Sequence, residues 1–404
     1  MEIIKLIVNI IEVLLFAYLG FAAVYIFFFA VAGRIGYHPK DLEDKHFRKF
    51  AVLIPGYKED AVIVEVAQEA LKQQYPEEFY DVVIIADSFK EETLEKLRSL
   101  PLKLVVVSFE KSTKAKALNR AMEVIGDDYD IALVLDADNV MEPYFLQKFN
   151  MAFERGFLTV QGHRVAKNLN TNMAVLDAVS EEINNHLYRL GHRAVGLSSA
   201  LIGSGMAFDY GFFKLTMKNI NAVGGFDKEL ELTLLQDGKK IDYLEEALVY
   251  DEKVQNTEVF ENQRKRWLSA QFIYFGRYFL PGVRDLFLKG NIDFMDKVYQ
   301  MVQPPRILLL GMTTIFAAVW LVLSLLDIPG LNSFFLIAPT LWFAAFGLTF
   351  IAFLLAIPSK FYNAKTLKAV MSLPKGFFVM FLSLFKLKGA NKKFIHTQHG
   401  TTNQ

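Results

Sequence analysis

Apolar residues run along this chain in two rhythms. In three stretches no charge interrupts them: residues 13–33 (VLLFAYLGFAAVYIFFFAVAG), 307–326 (ILLLGMTTIFAAVWLVLSLL) and 334–357 (FFLIAPTLWFAAFGLTFIAFLLAI). Each has about the 20 residues that a helix needs to cross a bilayer. The first begins near Met1. It outruns the roughly 7–15-residue apolar core of a signal peptide and lacks an A-x-A cleavage site, so a retained anchor is expected. Between the first and second stretches the rhythm shortens. Branched apolar runs at residues 50–57, 80–88, 102–110 and 129–138 read as strands, and segments at 59–74, 89–100 and 113–125 read as helices. Strand alternating with helix predicts βαβ units, a parallel sheet and an α/β fold. Ligands of such sheets collect at the carboxyl ends of the strands. Pro55, Tyr57, Asp87, Asp136 and Asp138 all stand at such ends, so one cleft should gather them. Residues 373–393 hold an apolar run too short to span comfortably, and an amphipathic helix lying in the membrane interface is expected there. Residues 269–288 fit either that arrangement or an ordinary helix packed on the domain.

Composition sharpens this picture. Hydrophobic residues make up 53% of the 404, with 37 Phe, an excess concentrated in the three long stretches. The formal net charge is zero, which offers no electrostatic case for nucleic acid. There is no cysteine, so disulfides, zinc thiolates and thiol nucleophiles are excluded. Arg34, Lys40, Lys45, Arg48 and Lys49 follow the first stretch, and Lys360, Lys365 and Lys368 follow the third. Residues 327–333, between the last two, carry neither Lys nor Arg. The positive-inside rule then expects residues 34–300 and the C-terminal tail in the cytoplasm and residues 327–333 outside. His163, His186, His192, His396 and His399 form no H-E-x-x-H, and no zinc site is expected.

The chemistry concentrates at IALVLDADN (131–139), where an apolar run ends in two carboxylates one residue apart. Side chains at i and i+2 of an extended segment share a face. Like charges placed so raise each other's pKa unless something positive lies between them. A simple turn accounts for a lone D-x-D. A divalent cation accounts for a pair at a ligand-binding strand end: Mg²⁺ or Mn²⁺ takes one or two carboxylates, and substrate phosphates complete the shell. Lys114 and Lys116 open the helix after the third strand, where they either meet phosphate or face solvent. Neither a P-loop nor a dinucleotide fingerprint follows any strand.

The order of motifs resembles that of the family 2 glycosyltransferases with a GT-A fold, the group of the cellulose, chitin and hyaluronan synthases and of ceramide glucosyltransferase. VLIPGYKED (52–60) resembles the family's opening strand and P-x-Y-x-E turn, and IIADS (84–88) its first aspartate. KAKALNRAM (114–122) resembles its K-x-x-A-L-N helix, and LVLDADN (133–139) its D-x-D. LIGSGMAF (201–208) is similar to its G-[ST]-G segment, and ENQRKRW (261–267) to its Q-x-x-R-W signature. One element departs. The family's T-E-D or E-D tripeptide is missing, and in GGFDKELEL (224–232) either Asp227 or Glu229 falls at its aspartate.

The resemblance implies a Rossmann-like, nucleotide-sugar-binding domain with membrane-spanning and interfacial helices. It implies that Pro55, Tyr57, Glu59 and Asp87 hold a uridine, that Asp136 lies near the ribose and diphosphate, and that Asp138 with Asp136 holds Mg²⁺ or Mn²⁺. Lys116, Gln263 and Arg266 would meet the nucleotide or its diphosphate. Ser204, Gly205, Met206 and Trp267 would line the acceptor side, and Asp227 or Glu229 would be the base. The expected reaction is inverting transfer from a UDP-sugar to a glycan or lipid hydroxyl at the bilayer. The expected division is an anchor at residues 1–33, a cytoplasmic catalytic domain at 34–268, and interfacial helices, two spans and a basic cytoplasmic tail at 269–404. Polysaccharide synthesis stands first. Transfer of a single sugar to a lipid also fits, because three spans are few for a polymer channel unless a homo-oligomer supplies more. A nucleotide-sugar-binding protein without turnover is the alternative from another class.

Overall fold

The structure is a computed structural model that describes residues 2–39, 46–220, 222, 224–255, 257–326 and 334–384. Its centre is one eight-stranded sheet. The strands are β1 (Phe50–Tyr57), β2 (Tyr80–Asp87), β3 (Lys103–Val107), β4 (Ile131–Val134), β5 (Val140–Met141), β6 (Thr159–Ala166), β7 (Met206–Asp209) and β8 (Asp242–Asp251). They lie in the order β3-β2-β1-β4-β7-β6-β8-β5. Strands β3, β2, β1 and β4 are parallel, as the strand–helix alternation predicts. Beyond them the sheet is mixed. β7 runs antiparallel to β4 and to β6, and β6 pairs parallel with β8. The sheet is therefore not the wholly parallel one expected.

The parallel strands are buried on both faces. Ala51, Leu53, Val83 and Ile85 face a core that includes Leu118, Met122, Phe213, Leu230 and Leu234. Val52, Ile54, Val82 and Ile84 face another with Ile63, Val66, Phe145 and Phe149. Burial on both sides is why these strands read as unbroken apolar runs. By contrast β6 (TVQGHRVA) and β8 (DYLEEALVYD) carry polar side chains within the strand, which hid them from the apolar pattern.

Among the described residues three helices are long and apolar enough to cross a membrane: Glu2–Ile35, Arg306–Leu326 and Pro339–Ala356. They carry the three predicted spans and pack together around Trp342. Phe16 meets its ring edge-on at 5.0 Å, and Phe316 stacks on it at 4.1 Å. The second half of the first helix also docks on the sheet domain. Tyr25 donates to Asp296 Oδ1 at 2.6 Å, and Phe29 stacks on His192 at 3.7 Å. Residues 269–288 belong to one long helix, Thr257–Lys289. Its Tyr274 and Tyr278 join the core, while Leu280, Phe287 and Leu288 are exposed. Leu373–Leu384 is a helix with Phe378 and Leu382 exposed. The rest of the predicted interfacial segment, residues 327–333, Lys40, Lys45, His396 and His399 lie outside the described residues.

Candidate active site

The mouth of the cleft forms at the ends of β1 and β2, where Tyr57 lies opposite Asp87. Asp87 is buried. Its carbonyl accepts from the Lys58 N–H at 3.0 Å, and its Oδ1 accepts from Ser88 Oγ at 3.0 Å. Lys58 (φ 57°) and Ser88 (φ 60°) both hold left-handed backbone without being glycine. Such conformations cost about 1–3 kcal/mol each and gather at functional sites. Pro55, Tyr57 and Glu59 are half-buried along the same turn, where the Glu59 carbonyl accepts from the Val62 and Ile63 N–H groups.

The carboxylate pair lies one strand over. The Leu135 N–H bonds the Leu53 carbonyl at 3.0 Å, which carries β4 alongside β1 as far as Asp136. A chain of polar contacts then fixes the turn. The Asp136 N–H donates to Ser204 Oγ at 3.0 Å, and Ser204 Oγ donates to Asn139 Oδ1. Asn139 Nδ2 donates to Asp138 Oδ1 at 3.2 Å and to Asp251 Oδ1 at 3.1 Å. The Glu252 N–H donates to Asp138 Oδ2 at 3.0 Å. Ser204 thus ties the G-S-G segment to the D-x-D turn. Gly205 allows this approach. Its φ is +59°, and a Cβ there would stand 2.6 Å from Val249 Cγ1. Met206, next along, opens β7 and is buried.

Positive charge relieves the repulsion between the carboxylates. Lys114 Nζ donates to Asp136 Oδ1 at 2.5 Å and to the Gly203 carbonyl at 2.7 Å. Arg164 Nη1 lies 4.0 Å from Asp136 Oδ2 and 3.6 Å from Asp251 Oδ1. Burial opposes ionisation of Asp251, but Arg164 and Lys253 outweigh it and hold its carboxyl below the usual range. The helix Lys114–Ile125 starts at Thr113, whose side chain accepts from the Lys116 N–H, and this sets Lys114 at the cleft. Lys116 is exposed, and its ammonium bonds the Lys111 carbonyl at 3.0 Å. Lys114 is therefore the lysine brought to Asp136, and the spacing K-x-x-A-L-N, counted back from Asn119, indeed falls on it.

Asp227 and Glu229 share the first turn of the helix Phe226–Gln236 but face different surroundings. A Cβ on Gly203 would stand 3.7 Å from Asp227 Cγ, so Asp227 adjoins the carbonyl that Lys114 bonds. Burial raises the Asp227 pKa above the usual carboxylate range, against the pull of Lys228 and Lys114, and Glu231 adds to the rise. Glu229 instead forms an ion pair with Arg277 of the long helix. On that helix Gln263 and Arg266 are half-buried, and burial lowers the Arg266 pKa. Trp267 is 40% exposed, and the Arg264 guanidinium lies 4.8 Å over its ring while pairing with Asp177 at 3.3 Å. Asn139, Arg164, Asp251 and Lys253 are parts of the cleft that the motifs did not name. Only Asn139, directly after the D-x-D, left a local signal.

Among the described residues no group of three or more His, Cys, Asp or Glu is arranged to hold a metal. A hard cation can also be held by one or two carboxylates with substrate phosphates completing the shell, and Asp136 and Asp138 supply two carboxylates at one turn. The Asp136 side chain is 38% exposed, and the Lys114 ammonium already occupies a cation's place on its Oδ1.

Residues 48–270, more than half of the chain, match the family model described as Glycosyltransferase like family 2. The chain belongs to this family. The glycosyltransferase is also similar in structure to the mannosyltransferase PcManGT from Pyrobaculum calidifontis, solved in complex with GDP-Man and Mn²⁺. The TM-score is 0.52 at 15% identity, over 85% of this chain and 97% of that one. A fragment of S. aureus TarS, solved with UDP-GlcNAc, aligns with a TM-score of 0.41 at 14% identity, over 82% of this chain and 91% of that one. No curated protein matches the chain in sequence. The fold is that of the GT-A glycosyltransferases, and the chain is a nucleotide-sugar transferase of family 2 type.

Proposed function

We propose that this glycosyltransferase works at a membrane and moves one sugar per turnover from a nucleoside-diphosphate donor to an acceptor hydroxyl, with inversion. The observation that carries the reading is the meeting at Gly203 of a carboxylate, an ammonium and a second carboxylate: Asp136, Lys114 and Asp227. A sugar nucleotide breaks at the bond between the anomeric carbon and the diphosphate oxygen, and negative charge grows on that oxygen. A divalent cation held by Asp136 and Asp138 supplies Lewis-acid stabilisation of that charge when bound. Lys114 adds a fixed positive group on the same side, and Arg266 offers a planar guanidinium suited to phosphate oxygens. Asp227 takes the proton of the attacking hydroxyl, a role typically worth about 10²–10⁴-fold. The acceptor oxygen then bonds the anomeric carbon from the face opposite the leaving diphosphate, and no covalent enzyme intermediate is needed. Glu229 is the weaker choice of base because its carboxylate is engaged by Arg277.

Pro55, Tyr57, Glu59 and Asp87 are proposed to hold the base and ribose, with uracil as the base. Gln263 is proposed to assist at the diphosphate. Ser204, Gly205, Met206 and Trp267 are proposed to bound the acceptor, where an indole face suits the apolar face of a sugar ring. The sheet domain is proposed to lie on the cytoplasmic side, with residues 1–33 as an anchor and 269–404 as the second membrane region. Polysaccharide synthesis is the preferred role. Transfer of a single sugar to a lipid is the second reading, favoured by the presence of only three candidate spans among the described residues. Gel analysis of products made with labelled donor separates them: a ladder supports polymerisation, and a single lipid-extractable band supports the second reading.

A further inference from the structure

A second cavity, of about 420 Å³, opens where two apolar helices end against the sheet domain. Gly33 and Arg34 come from the end of the first helix, and Ala356, Pro358, Ser359 and Lys360 from the end of the third and just after it. The domain contributes His163, Glu182, Tyr243 and Glu245. Arg164, the neighbour of His163 on β6, turns instead to Asp136 and Asp251, so this cavity is separate from the cleft. Arg34 and Lys360 balance Glu182 and Glu245 in charge along its lining. Among the described residues Arg34 reaches only the Ile357 carbonyl, at 3.4 Å, and Lys360 pairs with Glu182 at 2.7 Å. Glu182 also bonds His163 at 2.9 Å, so its charge is satisfied. Glu245, also in the lining, is exposed. Tyr243 contributes to the wall and is 2% exposed, and its buried hydroxyl has no hydrogen-bond partner among the described residues.

We propose that this cavity binds the headgroup of an aminophospholipid, with its phosphate at Arg34 and Lys360 and its ammonium at Glu245. The inference rests on the membrane placement proposed above, and its site is distinct from the sugar-nucleotide cleft. Both apolar helices end at the cavity, which sets it at the headgroup level of a bilayer that holds them. The volume suits a zwitterionic headgroup better than a bare phosphate, being within the usual range of about 300–1,000 Å³ for small-molecule sites. An anionic lipid would bring its charge to Glu245 without compensation. A trimethylated headgroup has no N–H to give Glu245.

The test uses the full chain, purified in detergent and stripped of lipid. Native mass spectrometry measures retention of phosphatidylethanolamine, phosphatidylcholine and phosphatidylglycerol offered at equal concentration. Wild-type protein is expected to retain phosphatidylethanolamine about tenfold over the other two, the size of one hydrogen bond to a charged group. Glu245→Gln should erase that preference, and Arg34→Gln should weaken retention of all three lipids. Soluble glycerophosphoethanolamine should displace the lipid where inorganic phosphate at the same concentration does not. Equal retention of the three lipids overturns the proposal, as does an unchanged preference in Glu245→Gln. Displacement by inorganic phosphate alone also overturns it, in favour of a free-anion site. Alkaline carbonate extraction keeps the premise apart. Protein that leaves the membrane refutes the membrane placement, whereas protein that stays but shows no lipid preference refutes only the headgroup site.

Discussion

Asp227 and Glu229 stand two residues apart, yet their settings separate them. Asp227 adjoins Gly203 and Lys114, and Glu229 is bound to Arg277. Asp227→Asn should therefore lower turnover by about 10²–10⁴-fold, the worth of a general base. Glu229→Gln should spare turnover and lower thermal stability, because it breaks an ion pair between two packed helices. A turnover assay on both variants checks this, and an inactive Glu229→Gln beside an active Asp227→Asn would reverse the assignment. The pH dependence carries a sign as well. A base must be ionised, and burial raises the Asp227 pKa. The acid limb of kcat/KM should thus lie above the usual carboxylate range of about 4. A limb at or below that range would count against Asp227. Ser204 offers a third check. It is fully buried and links the Asp136 N–H to Asn139. Ser204→Ala should cost about 1–3 kcal/mol by leaving buried partners unsatisfied, measured by thermal unfolding in detergent.

At the scale of elements, the sequence was legible where one physical signal dominated. Strands β1 to β4 are sandwiched between helices and read directly as apolar runs. β6 and β8 were not legible, because they carry the charged side chains that build the cleft floor and the second cavity: Arg164, His163, Glu245 and Asp251. The same residues that blur the strand pattern furnish the chemistry. The resemblance named Lys116, whereas the structure brings Lys114 to Asp136. Two lysines share one helical turn, and only the cap at Thr113 decides which of them meets Asp136. Glu182, on the helix Asn172–Asn184, joins this helix to the end of the third apolar helix through Lys360. Burial opposes its ionisation, yet His163 and Lys360 outweigh that and pull its pKa down to about 2. An acid depressed in this way adds stability above its unfolded pKa of about 4.3. That stability is lost as pH falls from there through the folded value. Thermal melts across pH 2 to about 5 should show this acid dependence in wild type and a shallower one in Glu182→Gln. Parallel curves would remove Glu182 from the account.

For the whole molecule, the three apolar helices and the sheet domain are joined rather than tethered. Tyr25, Phe29 and His186 bind the first helix to the domain, and Arg306, at the start of the second, donates to Ser180 at 2.9 Å. No motif announces this union, because no local spacing in the sequence reports how an apolar helix meets a domain. It follows that truncating residues 1–33 should destabilise the catalytic domain and not merely release it from a membrane. The central claim is that the cleft transfers a sugar with help from Asp138 and a divalent cation. The most direct measurement is nucleoside-diphosphate release by detergent-purified wild type and Asp138→Asn, offered a panel of nucleotide sugars with Mg²⁺, Mn²⁺ or EDTA. The account predicts release from one donor, abolished by EDTA and in Asp138→Asn while that variant still folds and inserts. Release that survives both chelation and the substitution would contradict it.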